Sequence, residues 1–278
     1  MAATVDAALA EARALGIDRL DAQLLLGHLL RRPRTWVLGH GETILDAQQS
    51  AEWQTLSARR ARGEPLAYLV GRKEFHGLML EVDPRVLVPR PDTEVLVDWA
   101  LEILQSGRST ESPARVVDLG TGSAAVALAI KAACPPASVF ASDQSREALD
   151  VARLNAVRLG LEIDLRHGSW WAPWQGHSFR VAVSNPPYLA DDDPHLDALA
   201  EEPAGALVAG CDGLAALREI VASAADHLEP GGWLLLEHGF EQAPAVTELL
   251  VAAGFSSVET RQDLGGRERC SGGRRPER

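Results

Sequence analysis

An α/β chain is the fold this sequence predicts: an open, doubly wound, mostly parallel sheet, preceded by a small all-α domain and a β-hairpin linker. Three observations predict it. Helical spacing of apolar residues fills roughly the first 70 positions, the period shortens between Lys73 and Leu87, and from Ala114 onward strand-like runs alternate with helix-like ones.

The helical part begins with Val5, Ala8, Leu9, Ala12 and Leu15 at spacings of three and four, with Thr4 or Asp6 available as a cap and Gly16 as a stop. Leu20, Leu24, Leu25, His28 and Leu29 repeat the pattern before Arg31, Arg32 and Pro33. A third helix is expected from about Ile44 to Arg62, ended by Gly63. Phe75, Leu78, Leu80 and Val82, set among polar residues with Gly77 and Asp83-Pro84 as turns, predict a short hairpin. Val88-Pro89-Arg90-Pro91-Asp92-Thr93-Glu94 follows, with Asp92 or Thr93 placed to cap a helix from Glu94 to Leu104, and Gln105 to Pro113 reads as a polar loop. Strands are expected at 115–119, 138–142, 162–166, 179–184, 231–237 and 256–260, with helices at 124–133, 145–159, 213–228 and 241–253. The Gly/Arg-rich tail, Ser271 to Arg278, reads as a frayed terminus.

Composition narrows the function. The chain has 278 residues, 46% of them hydrophobic and 24% charged, which suits one large domain with a modest appendage and excludes collagen, long disorder and disulfide miniproteins. Lys plus Arg number 27 against 39 acidic residues, giving a formal charge of -12. Such a surface repels phosphate, so direct nucleic-acid binding is not expected. Cys134, Cys211 and Cys270 are odd in number and match no metal-ligand spacing, which predicts reduced thiols. The eight histidines show no metal spacing either. The N-terminus lacks the layout of an export signal and no run of 18 apolar residues occurs, so a cytoplasmic chain without a membrane span is expected. No long apolar seam appears, and a monomer is the expected state.

Two elements point to a cofactor. Val116-Val117-Asp118-Leu119-Gly120-Thr121-Gly122-Ser123-Ala124-Ala125 stands where a strand turns into a helix, a place where glycines admit close approach and helix amides attract an anionic group. Asp143, 21 residues after Gly122 at the end of the next strand, can accept hydrogen bonds from both hydroxyls of a ribose. Nicotinamide cofactors and S-adenosylmethionine both carry that ribose, so these elements leave the reaction open.

Asn185-Pro186-Pro187-Tyr188, directly after the strand 179–184, bears on the reaction. Methylation of an amide or amino nitrogen must overcome a delocalised lone pair. An Asn side-chain oxygen and a backbone carbonyl can each accept one hydrogen of an NH2 group and so aim that nitrogen at a methyl donor. The prolines fix the carbonyl's direction, and the Tyr188 ring can cover the flat amide or base. No general base is needed before attack, since the nitrogen can lose its proton afterwards.

Here the chain resembles the class I S-adenosylmethionine-dependent methyltransferases, and within them the HemK/PrmC-type peptide chain release factor glutamine methyltransferases. The resemblance spans Tyr68-Leu69-Val70-Gly71, Lys73-Glu74-Phe75, VPRPDTE at 88–94, DLGTGS at 118–123, NPPY at 185–188 and LEHG at 236–239. It implies a helical substrate-docking domain over 1–72, a hairpin linker over 73–90 and a methyltransferase domain over 91–278. It implies that Gly120, Thr121, Gly122, Ser123 and Ala124 surround the methionine part of S-adenosyl-L-methionine, with Asp143 on the ribose, Trp170 beside the adenine and Asn185 also touching the cofactor. Asn185, Pro186, Pro187 and Tyr188 become the glutamine clamp. The implied reaction methylates N5 of the glutamine in the GGQ-type loop of release factors and leaves S-adenosyl-L-homocysteine. A ribosomal-protein glutamine and a DNA or RNA base amino group are the alternative acceptors; only Lys73 and Lys131 are lysines, which disfavours nucleic acid.

Two departures from the family pattern carry expectations. Ala124 replaces a glycine, which requires a negative φ and a methyl group turned from the cofactor. Ser169 replaces an acidic residue, so a carboxylate contact to the adenine amino group is not expected. Arg90 and Glu94 can either shape the pocket mouth or form a helix-start salt bridge. Trp171, Trp174 and His238 read as structural, Asp191 to Asp193 as a solvated loop, and Glu202-Pro203 and Gly210 to Gly213 have no assigned chemistry.

Overall fold

The computed structural model describes residues 4–106 and 113–277. Most of the expected polar loop from Gln105 to Pro113 and the first three residues of the N-terminus lie outside them. The chain divides into two compact units, Met1–Arg72 and Lys73–Arg278.

The first unit is all helix: α1 (Val5–Ala14), α2 (Arg19–Leu30), α3 (Arg34–Gly39), α4 (Ala47–Ala61) and α5 (Leu66–Val70). Thr4 caps α1 by accepting from the Ala7 amide, and Asp18 caps α2. The third helix starts later than its apolar spacing suggests. Asp46 and Gln49 form a reciprocal capping box there, fixing the first turn at Ala47. Helices α3 and α5, each following a proline, are too short to show a period. Leu25, Leu26, Val37, Leu45 and Trp53 close the core, and the Trp53 indole donates to Glu11 at 3.2 Å.

The second unit opens with the hairpin β1 (Arg72–Phe75) and β2 (Leu78–Glu81). A 3-10 turn, Pro91–Thr93, leads into α6 (Glu94–Ser106). Asp92 and Thr93 lie inside that 3-10 turn rather than at a helix cap, and Arg90, which precedes it, makes no side-chain cap hydrogen bond. The alternating part comprises β3 (Arg115–Leu119), α7 (Ala125–Ala133), β4 (Ser138–Asp143), α8 (Arg146–Leu159), β5 (Asp164–His167), β6 (Phe179–Ser184), α9 (Ala215–His227), β7 (Leu228–Glu237), α10 (Ala243–Ala252), β8 (Ser256–Gln262) and β9 (Glu268–Arg274).

Among the described residues these strands form one seven-stranded sheet in the order β5-β4-β3-β6-β7-β9-β8. Strands β3 to β7 run parallel, and β9 lies antiparallel between β7 and β8. From β3 the chain winds outward through β4 and β5, then returns to the other side of β3 as β6. That reversal leaves a crevice at the carboxyl ends of β3 and β6, where open α/β sheets bind ligands. Leu119 pairs with Ser184 across it, so Gly120 and Asn185 leave the sheet side by side.

The first half of the expected frayed terminus, Ser271 to Arg274, belongs to the mostly buried strand β9. A Cβ on Gly272 would come within 2.6 Å of Leu235 and 2.8 Å of Trp99, and one on Gly273 within 2.8 Å of Phe255. Glycine is required because neighbouring side chains fill the space over β9 from both faces, which erases the alternation that marks most strands. Trp171 and Trp174 belong to the core beneath the sheet, with Phe179, Leu217 and Leu234.

Candidate active site

Burial and loop geometry converge on a cavity of about 320 Å3 at that crevice. Its first wall grows from β3. Asp118, an acid inside an apolar strand, is 2% exposed, and burial pushes its carboxyl up to about 7. The Thr121 hydroxyl donates to it at 2.6 Å and the Ala127 amide also binds it, tying the loop to the start of α7. The Gly120 and Thr121 amides both reach the Ser142 carbonyl at 2.9 Å. Gly120 and Gly122 adopt φ of +73° and +54°, which glycine accepts without penalty. Gly120 is also a point of close approach: a Cβ there would stand 3.0 Å from the Trp170 ring.

Asp143 braces the same loop from β4. One of its oxygens accepts from the Gly122 amide at 2.9 Å, the other from the Ser145 amide at 2.8 Å. Burial raises its carboxyl, while these amides and His167 oppose the rise. Gly120, Thr121, Gly122, Ser123, Asp143 and Trp170 all line the cavity. Ala124 does not, and its φ is +64° rather than negative. It is wholly buried, with its amide on the Thr121 carbonyl at 2.8 Å, so the expected negative φ at Ala124 is corrected. Ala124 thus takes the left-handed conformation just before α7 despite its Cβ.

The second wall grows from β6. Asn185 and Pro187 line the cavity; Pro186 and Tyr188 are not among its lining residues. The Asn185 amide donates from Nδ2 to the Thr93 hydroxyl at 3.2 Å. The Tyr188 carbonyl accepts from Gln242 at 3.0 Å, and burial pushes the Tyr188 phenol up to about 12. Arg90 and Thr93 complete this wall with Pro203, Gly205 and Ala206. Arg90 forms an ion pair with Glu202, whose side chain is only 3% exposed and also accepts the Val88 amide at 3.0 Å. Glu202 thereby joins the Pro-rich segment to the loop after the clamp. Glu94 instead accepts the His76 amide at 3.0 Å, bracing the hairpin.

Thr93, Asp118, Glu202 and Glu237 escaped assignment from sequence. Asp118 and Glu237 carried a readable signal, a carboxylate within an otherwise apolar strand. Glu202 and Thr93 carried none, because their partners are remote in the chain. His238 is buried, with Nε2 against the Ser271 hydroxyl at 2.8 Å. Asp191 and Asp192 are exposed. The three cysteines are free. Among the described residues no cluster could hold a metal ion, and no helix is long and apolar enough to cross a membrane.

Comparison with known proteins agrees with this geometry. Residues 3–71 match the PrmC N-terminal domain and residues 94–210 the methyltransferase small domain. The release factor glutamine methyltransferase of Burkholderia pseudomallei is 48% identical, over 95% of this chain and 94% of that one. The protein of the same description from Escherichia coli K12 is 41% identical over 96% of each chain. In fold, a crystal structure of a methyltransferase from Pyrococcus furiosus superposes with a TM-score of 0.54 at 19% identity, over 83% of this chain and all of that one. The sheet is of class I methyltransferase type, and the chain belongs to the release factor glutamine methyltransferase family.

Proposed function

We propose that this enzyme transfers a methyl group from S-adenosyl-L-methionine to N5 of a release-factor glutamine, the one in the GGQ-type loop. The observation that carries the reading is the shared cavity, lined by Asn185 together with Gly120, Thr121, Gly122, Ser123 and Asp143. The relatives' common description supports the same acceptor.

The residues present fit the cofactor. Gly120 leaves room where any Cβ would press on Trp170, so the backbone there can be approached closely. Asp143, held by two amides, offers its remaining lone pairs to ribose hydroxyls. Trp170 supplies a flat apolar surface suited to adenine. When bound, the cofactor would supply an electrophilic methyl group to the glutamine nitrogen, which would then give up a proton to solvent.

The chain's own contribution is positioning. Asn185 accepts one hydrogen of the substrate NH2 and a backbone carbonyl of the Pro-Pro segment accepts the other, turning the lone pair to the methyl group. Pro186, Pro187 and the Gln242 bond to the Tyr188 carbonyl fix the course of that segment. The phenol of Tyr188 stays neutral at physiological pH. Asp118 and Asp143 rigidify the opposite wall, and the helical unit over 1–72 serves release-factor docking.

Asn185→Ala removes one of two amide acceptors and is expected to lower turnover on release factor by roughly 100-fold or more, on the scale seen for lost orienting donors and acceptors. Steady-state methyl transfer checks it. Near-normal turnover would sink the clamp.

A further inference from the structure

Glu237 ends β7, beside Cys270 of β9, and is 1% exposed. It lies outside the cavity lining, behind residues that belong to it. The Thr93 hydroxyl and the Asn185 amide stand against its carboxyl. Arg269 attracts it and Asp92 repels it, while Tyr188 and Cys270 feel its charge from the neighbouring segments. Its Oε2 has no hydrogen-bond partner among the described residues. A buried carboxyl with spare accepting capacity will claim donors that come within reach.

The clamp reading leaves one question open. A carboxamide can turn over about its last torsion, exchanging a donor NH2 for an acceptor oxygen, and only one of the two orientations serves a substrate NH2. We propose that Glu237 and Thr93 are positioning residues for Asn185, holding its NH2 inward so that its Oδ1 faces the cavity. The inference rests on the glutamine-clamp function argued above.

The hydroxyl proton of Thr93 goes to Glu237, which leaves a Thr93 lone pair for Asn185 Nδ2, the 3.2 Å contact observed. With the amide reversed, Oδ1 would confront a carboxylate. Charge on Glu237 therefore sets the direction, and a protonated Glu237, able to donate, would tolerate the reversed amide. Burial raises this carboxyl to about 7, against the pull of Thr93, Arg269 and Asn185 and with the push of Asp92, so the orientation tightens as pH rises through neutrality.

The side-chain amide resonances of Asn185, assigned by their loss in Asn185→Ala, report this in the full-length protein without any substrate. They should titrate with a midpoint near 7, and Glu237→Gln should abolish the titration. Thr93→Val should lower kcat roughly tenfold with KM for the cofactor unchanged, and Thr93→Ser should recover most of that loss. Amide resonances indifferent to pH, a titration that persists in Glu237→Gln, or an unchanged kcat in Thr93→Val would overturn the proposal. If the titration behaves as described but the wild-type enzyme leaves release factor unmethylated, the orientation stands and the substrate reading falls.

Discussion

The two walls of the cavity are built differently. On the β3 side the loop is braced by near neighbours: Thr121 reaches Asp118 three residues away, and Gly122 reaches Asp143 across 21. On the β6 side Asn185 is held from 92 residues away, Val88 binds Glu202 across 114, and Gln242 reaches back 54 to Tyr188. The first wall presents mostly backbone and is set by local geometry. The second presents side chains whose placement depends on the whole domain having folded. Cofactor binding should therefore tolerate remote substitutions that glutamine placement does not.

That contrast can be broken most sharply at Asp143. Asp143→Ala removes two amide contacts and the ribose acceptor together, and should weaken S-adenosylhomocysteine binding by about 10- to 100-fold, measured by calorimetry. Should affinity be unchanged, the ribose lies elsewhere.

Glu202→Ala tests the other wall. It strands the Val88 amide and frees Arg90, so we expect a loss of about 1–3 kcal/mol in denaturant unfolding and a raised KM for release factor, with cofactor affinity unaltered. An equal loss of cofactor affinity would show that the walls are not independent.

A smaller effect is expected from pH. Burial raises Asp118 from an ordinary value of 3.8 to about 7 and Glu237 from 4.5 to about 7. The folded state thus holds these protons more tightly than the unfolded chain. Their contribution to stability is full below about 4 and is lost as pH rises to about 7. Asp263, lowered chiefly by the Arg267 amide, acts in the opposite sense and gives up its contribution as the solution turns acidic. A melting temperature that falls between pH 4.5 and 7 is the expected result; a steady rise over that window would contradict the burial of these acids.

The smallest effect belongs to Ala124. Its left-handed φ of +64° carries a strain of roughly 1 kcal/mol, which Ala124→Gly relieves, partly offset by the freer unfolded chain. Stability should rise by up to about 1 kcal/mol with cofactor affinity unchanged, because Ala124 does not line the cavity.

The same division into local and remote explains what was legible in the sequence. Strands β3 and β6 were placed to the residue because mostly buried parallel strands read as short, largely apolar runs bounded by turns. The Gly120–Ser123 loop and Asp143 were legible for the same local reason. Strand β9 was not, since Gly272 and Gly273 are dictated by Leu235, Trp99 and Phe255 rather than by strand propensity. Nor could spacing reveal that the Thr93 hydroxyl accepts from Asn185, 92 residues away in the chain. Glu202 had no assigned chemistry and showed it only once Val88 and Arg90 were seen against it.

The central claim is that the two walls bring a methyl donor and a glutamine amide together. It is tested most directly by incubating the enzyme with labelled S-adenosylmethionine and, separately, release factor, ribosomal protein and structured nucleic acid, then locating the added methyl by tandem mass spectrometry. The account predicts one methyl on the glutamine of the release factor's GGQ-type loop. Methyl found only on nucleic acid, or on a release-factor residue other than glutamine, would contradict it.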